Sequence, residues 1–267
     1  MTGRVLIVAG SDSGAGAGIQ ADVKTVAALG GYATTAITAL TAQNTLGIAG
    51  ILPVPAAFVR LQIETVLSDI GADCVKTGML GGAEIVEALA DALDALAPAV
   101  PLVVDPVMAA GTGGTLLDPS ARALLARRLL PRATIITPNL PEAEILLGRP
   151  IGDMAAMKTA AADLLGFGCG AVLLKGGHLP GNTVTDILAT TGAIEMFTEP
   201  RLGSRSPHGT GCTLASAIAA GIANGRDSRR SVVEARAYVR RAIATAPAIG
   251  AGNGPLDHAG AAQRTET

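Results

Sequence analysis

Short continuous runs of Val, Ile and Leu recur along the chain: VLIVAG, ADCVKTG, PLVVDPV, ATIITPN and AVLLKGG. Most are followed by longer stretches with apolar residues at helical spacing, among them GIQADVKTVAAL, AEIVEALADAL, SARALLARRLL and AMKTAAADLL. A strand that is apolar at nearly every position needs cover on both faces, the situation of parallel sheets in α/β proteins. The alternation therefore predicts a three-layer α/β/α fold with a mainly parallel central sheet and helices on both faces. TVTDILAT and IEMFTEP, around Thr191-Gly192, predict a strand hairpin after the parallel core. Two helices then close the chain, from Cys212 to about Asn224 and from Ser231 to about Thr245. No repeat or linker divides the 267 residues, so one domain is expected, with residues 255–267, rich in Gly and polar residues, as a mobile tail.

In such sheets ligands bind beyond the carboxyl ends of the strands, where helix N-termini converge. The polar residues at those exits are Ser11-Asp12, Lys76-Thr77-Gly78, Asp105-Pro106, Pro138-Asn139 and Lys175-Gly176-Gly177-His178. The run Gly14-Ala15-Gly16-Ala17-Gly18 misses the G-x-G-x-x-G register, because the last position falls on Ile19, so a dinucleotide site is disfavoured. A turn that tolerates left-handed dihedrals explains it more simply. Gln20 and Asp22 follow in what reads as a first helical turn, where an acid complements the helix dipole.

Gln43 and Asn44 occupy a polar break after TTAITAL. An amide there can read the edge of a heteroaromatic ring, or equally bond local backbone. Asn139, Pro141 and Glu142 have the order of an ordinary helix start, and capping by Asn139 is favoured over service to a magnesium ion. Lys175 is one of only four lysines and could neutralise a polyphosphate, with a solvated strand end as the simpler alternative. No G-K-[ST] tripeptide is present, which excludes a P-loop. HGTGCTLASAIAAGI is the strongest local signal. Gly209, Thr210 and Gly211 permit a turn whose N–H groups point inward, and the helix behind them adds its dipole, which together make an anion hole. The competing reading is an ordinary helix start with Thr210 as N-cap and Cys212 as a small core residue.

Composition narrows the partners. A formal charge of -2, a pI near 5.9, 2% aromatics and no Trp give no basic or stacking surface for nucleic acid. The mean hydropathy of +0.45 comes largely from Ala, and no uncharged apolar run approaches the roughly 20 residues that span a bilayer. Cys74, Cys169 and Cys212 lie far apart, without disulfide or zinc spacing, and a reducing cytoplasm fits best.

With GSDSGAGAGIQADVKT, TALTAQNT, VKTGML, VDPVM, TPNLPEAE, LLKGGH and HGTGCT in this order, the chain from about Val5 to Pro255 closely resembles the hydroxymethylpyrimidine/phosphomethylpyrimidine kinases of the ribokinase-like fold. The resemblance implies ATP-dependent phosphorylation of 4-amino-5-hydroxymethyl-2-methylpyrimidine and then of its monophosphate, and it implies a homodimer. Carried over by motif, Gln43 would bond the pyrimidine, with Asp22 nearby and Met79 and Val107 against the ring. Asn139 and Glu142 would organise Mg²⁺ with ATP, and Lys175 would meet the phosphates. Gly176, Gly177 and Asp186 would lie along the nucleotide, while Gly209, Thr210, Gly211 and Cys212 would form the anion hole.

Ribokinase relatives usually carry aspartate where Cys212 stands, which points to the pyrimidine- and pyridoxal-kinase branches. Gly111, Gly114 and Pro207 depart from the usual pattern, and Pro207 removes one N–H from the approach to the hole. A thiol at a helix N-terminus can fall from about 8.5 toward neutrality, which would let Cys212 act as a base; otherwise its sulfur only fills space beside the substrate. The rivals are a pyridoxal or pyridoxine kinase, a non-catalytic pyrimidine-binding regulator and, more remotely, a dinucleotide oxidoreductase.

Overall fold

The computed structural model describes residues 2–108, 117–203 and 208–262. Gly111, Gly114 and Pro207 lie outside the described residues. Among those described, nine strands form one sheet in the order β3-β2-β1-β4-β5-β6-β7-β8-β9. The central run comprises β1 (Arg4–Asp12), β2 (Tyr32–Asn44), β4 (Cys74–Thr77), β5 (Leu102–Val104), β6 (Ile135–Ile136) and β7 (Ala171–Leu174), and it is parallel throughout. Strands β3 (Gly47–Pro53), β8 (Thr183–Thr190) and β9 (Ala193–Pro200) pair antiparallel at the two edges. The hairpin expected around Thr191-Gly192 is β8–β9.

Alternation of side chains explains why the strand runs are apolar without a break. Leu6, Val8, Val75, Leu102, Val104, Ile136, Val172 and Leu174 pack under α2 (Ala56–Asp69), α3 (Ala83–Leu96), α4 (Pro119–Leu124), α5 (Leu140–Leu147) and α6 (Met154–Leu164). Their neighbours Val5, Ile7, Ala9, Cys74, Val103, Ile135, Ala171 and Leu173 face α1 (Gly18–Ala28), α7 (Thr210–Ala223) and α8 (Ser228–Ala244). Three layers with two separate cores result.

The chain moves outward from β1 to β2 and β3, then returns to the other side of β1 as β4. Strand order thus reverses between β1 and β4, the place where ligands collect in open α/β sheets.

Two expectations need correction. Gln43 and Asn44 are not in a break: β2 runs on through Asn44 because β3 pairs with it, and the turn follows, with Asn44 Oδ1 accepting from the amides of Leu46 and Gly47. The tail is packed as far as residue 262, not loose from 255. Leu256, His258 and Ala261 are buried, Tyr238 donates its hydroxyl to the His258 carbonyl at 2.7 Å, and Thr213 Oγ1 lies 3.0 Å from His258 Nε2. Three side chains falling on apolar or hydrogen-bonding partners in α7 and α8 outweigh the Gly-rich composition.

Candidate active site

Two helices begin at the β1–β4 switch. Helix α7 starts after Gly209, which takes a left-handed φ of +81°. A Cβ there would stand 1.8 Å from the Gly16 carbonyl oxygen, so only glycine lets this turn close against the Gly14–Gly18 loop. Thr210 is the first helical residue, with Gly209 rather than Thr210 at the N-cap. Cys212 lies on the first turn of α7, near the Gly18 amide at the start of α1.

Lys175 follows β7 and brings its ammonium against the same turn: its Nζ is 3.3 Å, and Asp105 Oδ2 3.6 Å, from where a Gly211 Cβ would be. Lys175 Nζ donates to Asp105 Oδ1 at 3.0 Å, and Thr137 Oγ1 donates to the same oxygen at 3.0 Å. Burial opposes the charge on Lys175, but Asp105 and Glu142 outweigh it and raise its pKa. A cation, a helix N-terminus and glycines without side chains meet here, the chemistry that an anion would require.

Asn139 and Glu142 form a reciprocal capping box at the start of α5: the Glu142 amide donates to Asn139 Oδ1 at 2.9 Å and the Asn139 amide to Glu142 Oε2 at 2.8 Å. Burial pushes the Glu142 carboxyl up to about 7 despite the nearby Lys175. No cluster of three His, Cys, Asp or Glu side chains able to hold a metal occurs among the described residues. Mg²⁺ accompanying a nucleotide needs only one or two carboxylates, and Glu142, buried with its charge incompletely balanced, fits that part.

Asp186 holds the glycine turn rather than facing outward. Its Oδ1 accepts from the Gly176 amide at 3.0 Å and its Oδ2 from Arg236 Nε at 2.8 Å. A Cβ on Gly176 would fall 1.9 Å from the Thr185 carbonyl oxygen, whereas Gly177 faces open space. Met79 and Val107 are half-buried at the exits of β4 and β5; the Met79 methyl lies over Gly10, and the Val107 amide closes a turn onto the Asp105 carbonyl at 2.8 Å.

The structure departs from two expectations. Asp22 is in the second turn of α1, with no solvent contact, and both its oxygens accept from Lys76 Nζ at 2.8 Å, while Ser216 Oγ donates to Oδ1 at 2.7 Å. It is committed beneath the site and does not face a ring. Cys212 is not acidified either: burial, reinforced by Asp22 and Asp105, pushes its thiol up to about 11, although Lys76 and the Gly18 amide pull the other way. Dehydration costs the thiolate more than the helix dipoles return.

Four residues lacked an assigned role in the sequence reading. Lys76 sits in register with Ile7 and Val103, in an otherwise apolar row. Burial opposes its charge, but Asp22, with Cys212 and Asp105, raises its pKa. Asp105 anchors Lys175. Asp12 accepts from the amides of Gly14, Gly16 and Ala17 and lies 2.9 Å from His208 Nε2. Position at a strand exit, or within the HGTGC turn, was the available signal for each.

The mainly parallel three-layer fold is that of the ribokinase-like small-molecule kinases. Within that class the chain belongs to the phosphomethylpyrimidine kinase family, which it matches over residues 12–257. It is 47% identical over 254 residues to a hydroxymethylpyrimidine/phosphomethylpyrimidine kinase of Streptomyces coelicolor, covering 95% of this chain and 93% of that protein. It is 50% identical over 261 residues to the thiamine biosynthesis bifunctional protein ThiED of Geobacter sulfurreducens, covering 98% of this chain but only 53% of that longer protein. Among solved structures, pyridoxal kinase from Staphylococcus aureus in complex with AMP-PCP and pyridoxal superposes with a TM-score of 0.91 at 36% identity, covering 100% of this chain and 96% of that one.

Proposed function

We propose that the chain transfers phosphoryl groups from ATP, first to the hydroxymethyl group of 4-amino-5-hydroxymethyl-2-methylpyrimidine and then to the resulting monophosphate, yielding the diphosphate used in thiamine biosynthesis. The observation that carries this reading is the Lys175 ammonium against Gly211 in the first turn of α7. Phosphoryl transfer has a loose transition state, so alignment and charge neutralisation matter more than a strong base. In this mechanism the α7 amides and Lys175 hold the charge of the transferred group, and Asp105 keeps the lysine aimed. Gly176 and Gly177, held by Asp186, give the nucleotide a close backbone approach. Glu142, with Asn139 fixing its helix start, would hold Mg²⁺, which neutralises phosphate charge when bound. Gln43 recognises the ring between Met79 and Val107, and Cys212 supports the accepting hydroxymethyl group as a spacer, consistent with its high pKa.

The likeness to a pyridoxal-bound kinase favours one second reading, phosphorylation of pyridoxal or pyridoxine. Incubation with Mg²⁺, ATP and each ring substrate, followed by mass analysis, tests both. Pyrimidine mono- and diphosphates with higher kcat/KM than pyridoxal support the main reading; no pyrimidine product overturns it. We further propose a cytoplasmic homodimer. No described helix is long and apolar enough to cross a membrane, and the exposed Leu40, Leu46, Ile51, Leu52, Phe58 and Leu61 along β2, β3 and α2 offer the apolar surface a second copy would cover.

A further inference from the structure

The Gly14–Gly18 loop and the HGTGC turn meet at a hydrogen-bonded cluster that contains Gln43. Asp12 is nearly inaccessible and takes the amides of Gly14, Gly16 and Ala17 at 2.8–3.0 Å. Burial alone would raise its pKa, but the bonds from His208 and these amides outweigh that, and it is lowered. An ionised carboxylate only accepts, so the His208 Nε2 lying 2.9 Å from Asp12 Oδ2 carries a proton, whether the imidazole is neutral or charged. The ring is pressed into this place: a Cβ at Gly16 would stand 2.4 Å from His208 Cδ2.

Gln43 places its Nε2 3.1 Å from the same His208 Nε2 and its Oε1 3.2 Å from Thr41 Oγ1. The two ends exchange under a 180° rotation that hardly alters shape, so the hydrogen-bond network decides between them. With nitrogen toward His208, two N–H donors would face each other, whereas an oxygen there shares the one Nε2 proton with Asp12 Oδ2 as a three-centre bond. Thr41 leads to the same answer independently, because its single hydroxyl proton is used on the Ser11 carbonyl at 2.9 Å and its oxygen is free only to accept. The Gln43 oxygen therefore faces His208 and its nitrogen faces Thr41. The backbone is clamped as well: the Gln43 amide donates to Ser13 Oγ, and Ser13 Oγ donates to the Gln43 carbonyl, both at 2.8 Å.

We infer that Asp12, His208 and Thr41 are positioning residues that lock the Gln43 amide in one orientation, so that the site selects a ring with an amino group beside an unprotonated ring nitrogen and rejects its oxo counterpart. The inference rests on the pyrimidine-kinase reading. Each end of the locked amide keeps one unused valence, a lone pair on oxygen and one N–H on nitrogen. The lone pair accepts from a 4-amino group while the N–H donates to the neighbouring ring nitrogen. A 4-oxo ring presents a carbonyl and a ring N–H, the reversed pattern, and meets acceptor with acceptor and donor with donor.

The test has two arms. In ligand-free enzyme, ¹⁵N NMR of His208 should show a protonated Nε2; an unprotonated Nε2 overturns the lock without reference to any substrate. The second arm compares kcat/KM for the 4-amino substrate and its 4-oxo analogue. His208→Leu and Thr41→Val free the amide to rotate and should each lower the amino-over-oxo preference by about tenfold or more, the scale of one unsatisfied buried hydrogen bond. His208→Gln keeps an N–H near the Nε2 position and should retain the preference to within about threefold. If the Leu and Val variants slow both substrates equally, the residues are merely structural and the inference fails. Should His208→Leu not fold, Thr41→Val and the NMR measurement still decide. Absence of any product from the 4-amino substrate with wild-type enzyme sinks the kinase reading instead, leaving the NMR arm to judge the lock.

Discussion

Replacing Lys76 by Met keeps an unbranched side chain, one atom shorter, but removes an ammonium with no solvent contact that lies 2.8 Å from both oxygens of an equally buried Asp22. At that distance the attraction is about 6 kcal/mol for an effective dielectric constant of 20. Several kcal/mol are lost in dehydrating each ion, so the intact pair contributes little net stability. The single variant is different, because Asp22 then keeps only the Ser216 hydroxyl among its described side-chain partners. A loss of about 3–5 kcal/mol is expected at pH 8, the usual result of stranding a buried charge.

Proton uptake by Asp22 relieves part of that loss. Burial already raises its carboxyl above 3.8, and loss of Lys76 removes the main opposing pull. A folded-state pKa above the unfolded one means that the folded chain binds more protons between the two, so stability falls as pH rises through that window. Urea unfolding of the wild type, Lys76→Met, Asp22→Asn and the double variant, at pH 5 and pH 8, measures both effects. The double variant should be more stable than either single one, and Lys76→Met should be less destabilised at pH 5. A cost below about 1 kcal/mol for Lys76→Met, or simple additivity in the cycle, would show that the pair is not the buried unit described.

With its thiol at about 11, Cys212 should react with iodoacetamide at a rate rising close to tenfold per pH unit from pH 7 to 10; a plateau near pH 7 would restore the base role. Correspondingly, Cys212→Ala should cost less than about tenfold in single-turnover phosphoryl transfer. Gly209→Ala combines a left-handed φ with a Cβ 1.8 Å from the Gly16 carbonyl oxygen and should lose more than about 2 kcal/mol, whereas Gly177→Ala, facing open space, should lose less than about 1. Thermal or urea unfolding distinguishes them, and equal losses would contradict the packing of the two loops. Burial lowers buried His258 to about 4 from 6.5. Between those values the unfolded chain holds a proton that the folded chain does not, so acidification from pH 7 to 4 should cost about 3 kcal/mol that His258→Gln no longer shows.

Which features were legible follows from how far each depends on contacts remote in sequence. The strand and helix alternation is local: once both faces of the sheet are covered, every strand must be apolar, and the runs from VLIVAG to AVLLKGG state this directly. The capping box is equally local, since Asn139 and Glu142 are three residues apart. The end of β2 was misread because its partner β3, GIAGILP, is exposed and glycine-containing and lacks the alternation of a half-buried strand. The tail was misread because composition does not reveal that Leu256, His258 and Ala261 have places waiting in α7 and α8.

Site residues divide along the same line. A lysine inside an apolar strand run demands a buried partner on physical grounds alone, so Lys76 advertised an ion pair. What the run could not supply was the partner, 54 positions away, and Asp22 consequently read as an acid complementing a helix dipole. The separations of His208 from Gln43, 165 positions, and from Asp12, 196 positions, hide the amide lock in the same way. The glycines of both loops acquire their reason only when the loops meet: Gly16 makes room for an imidazole, and Gly209 for the Gly16 carbonyl. Glycine spacing in either loop alone therefore suggested a phosphate cradle or a loose turn, while the contact between them gives the Gly14–Gly18 loop a different task. It encloses Asp12, and through Asp12 it fixes the side chain proposed to read the substrate ring.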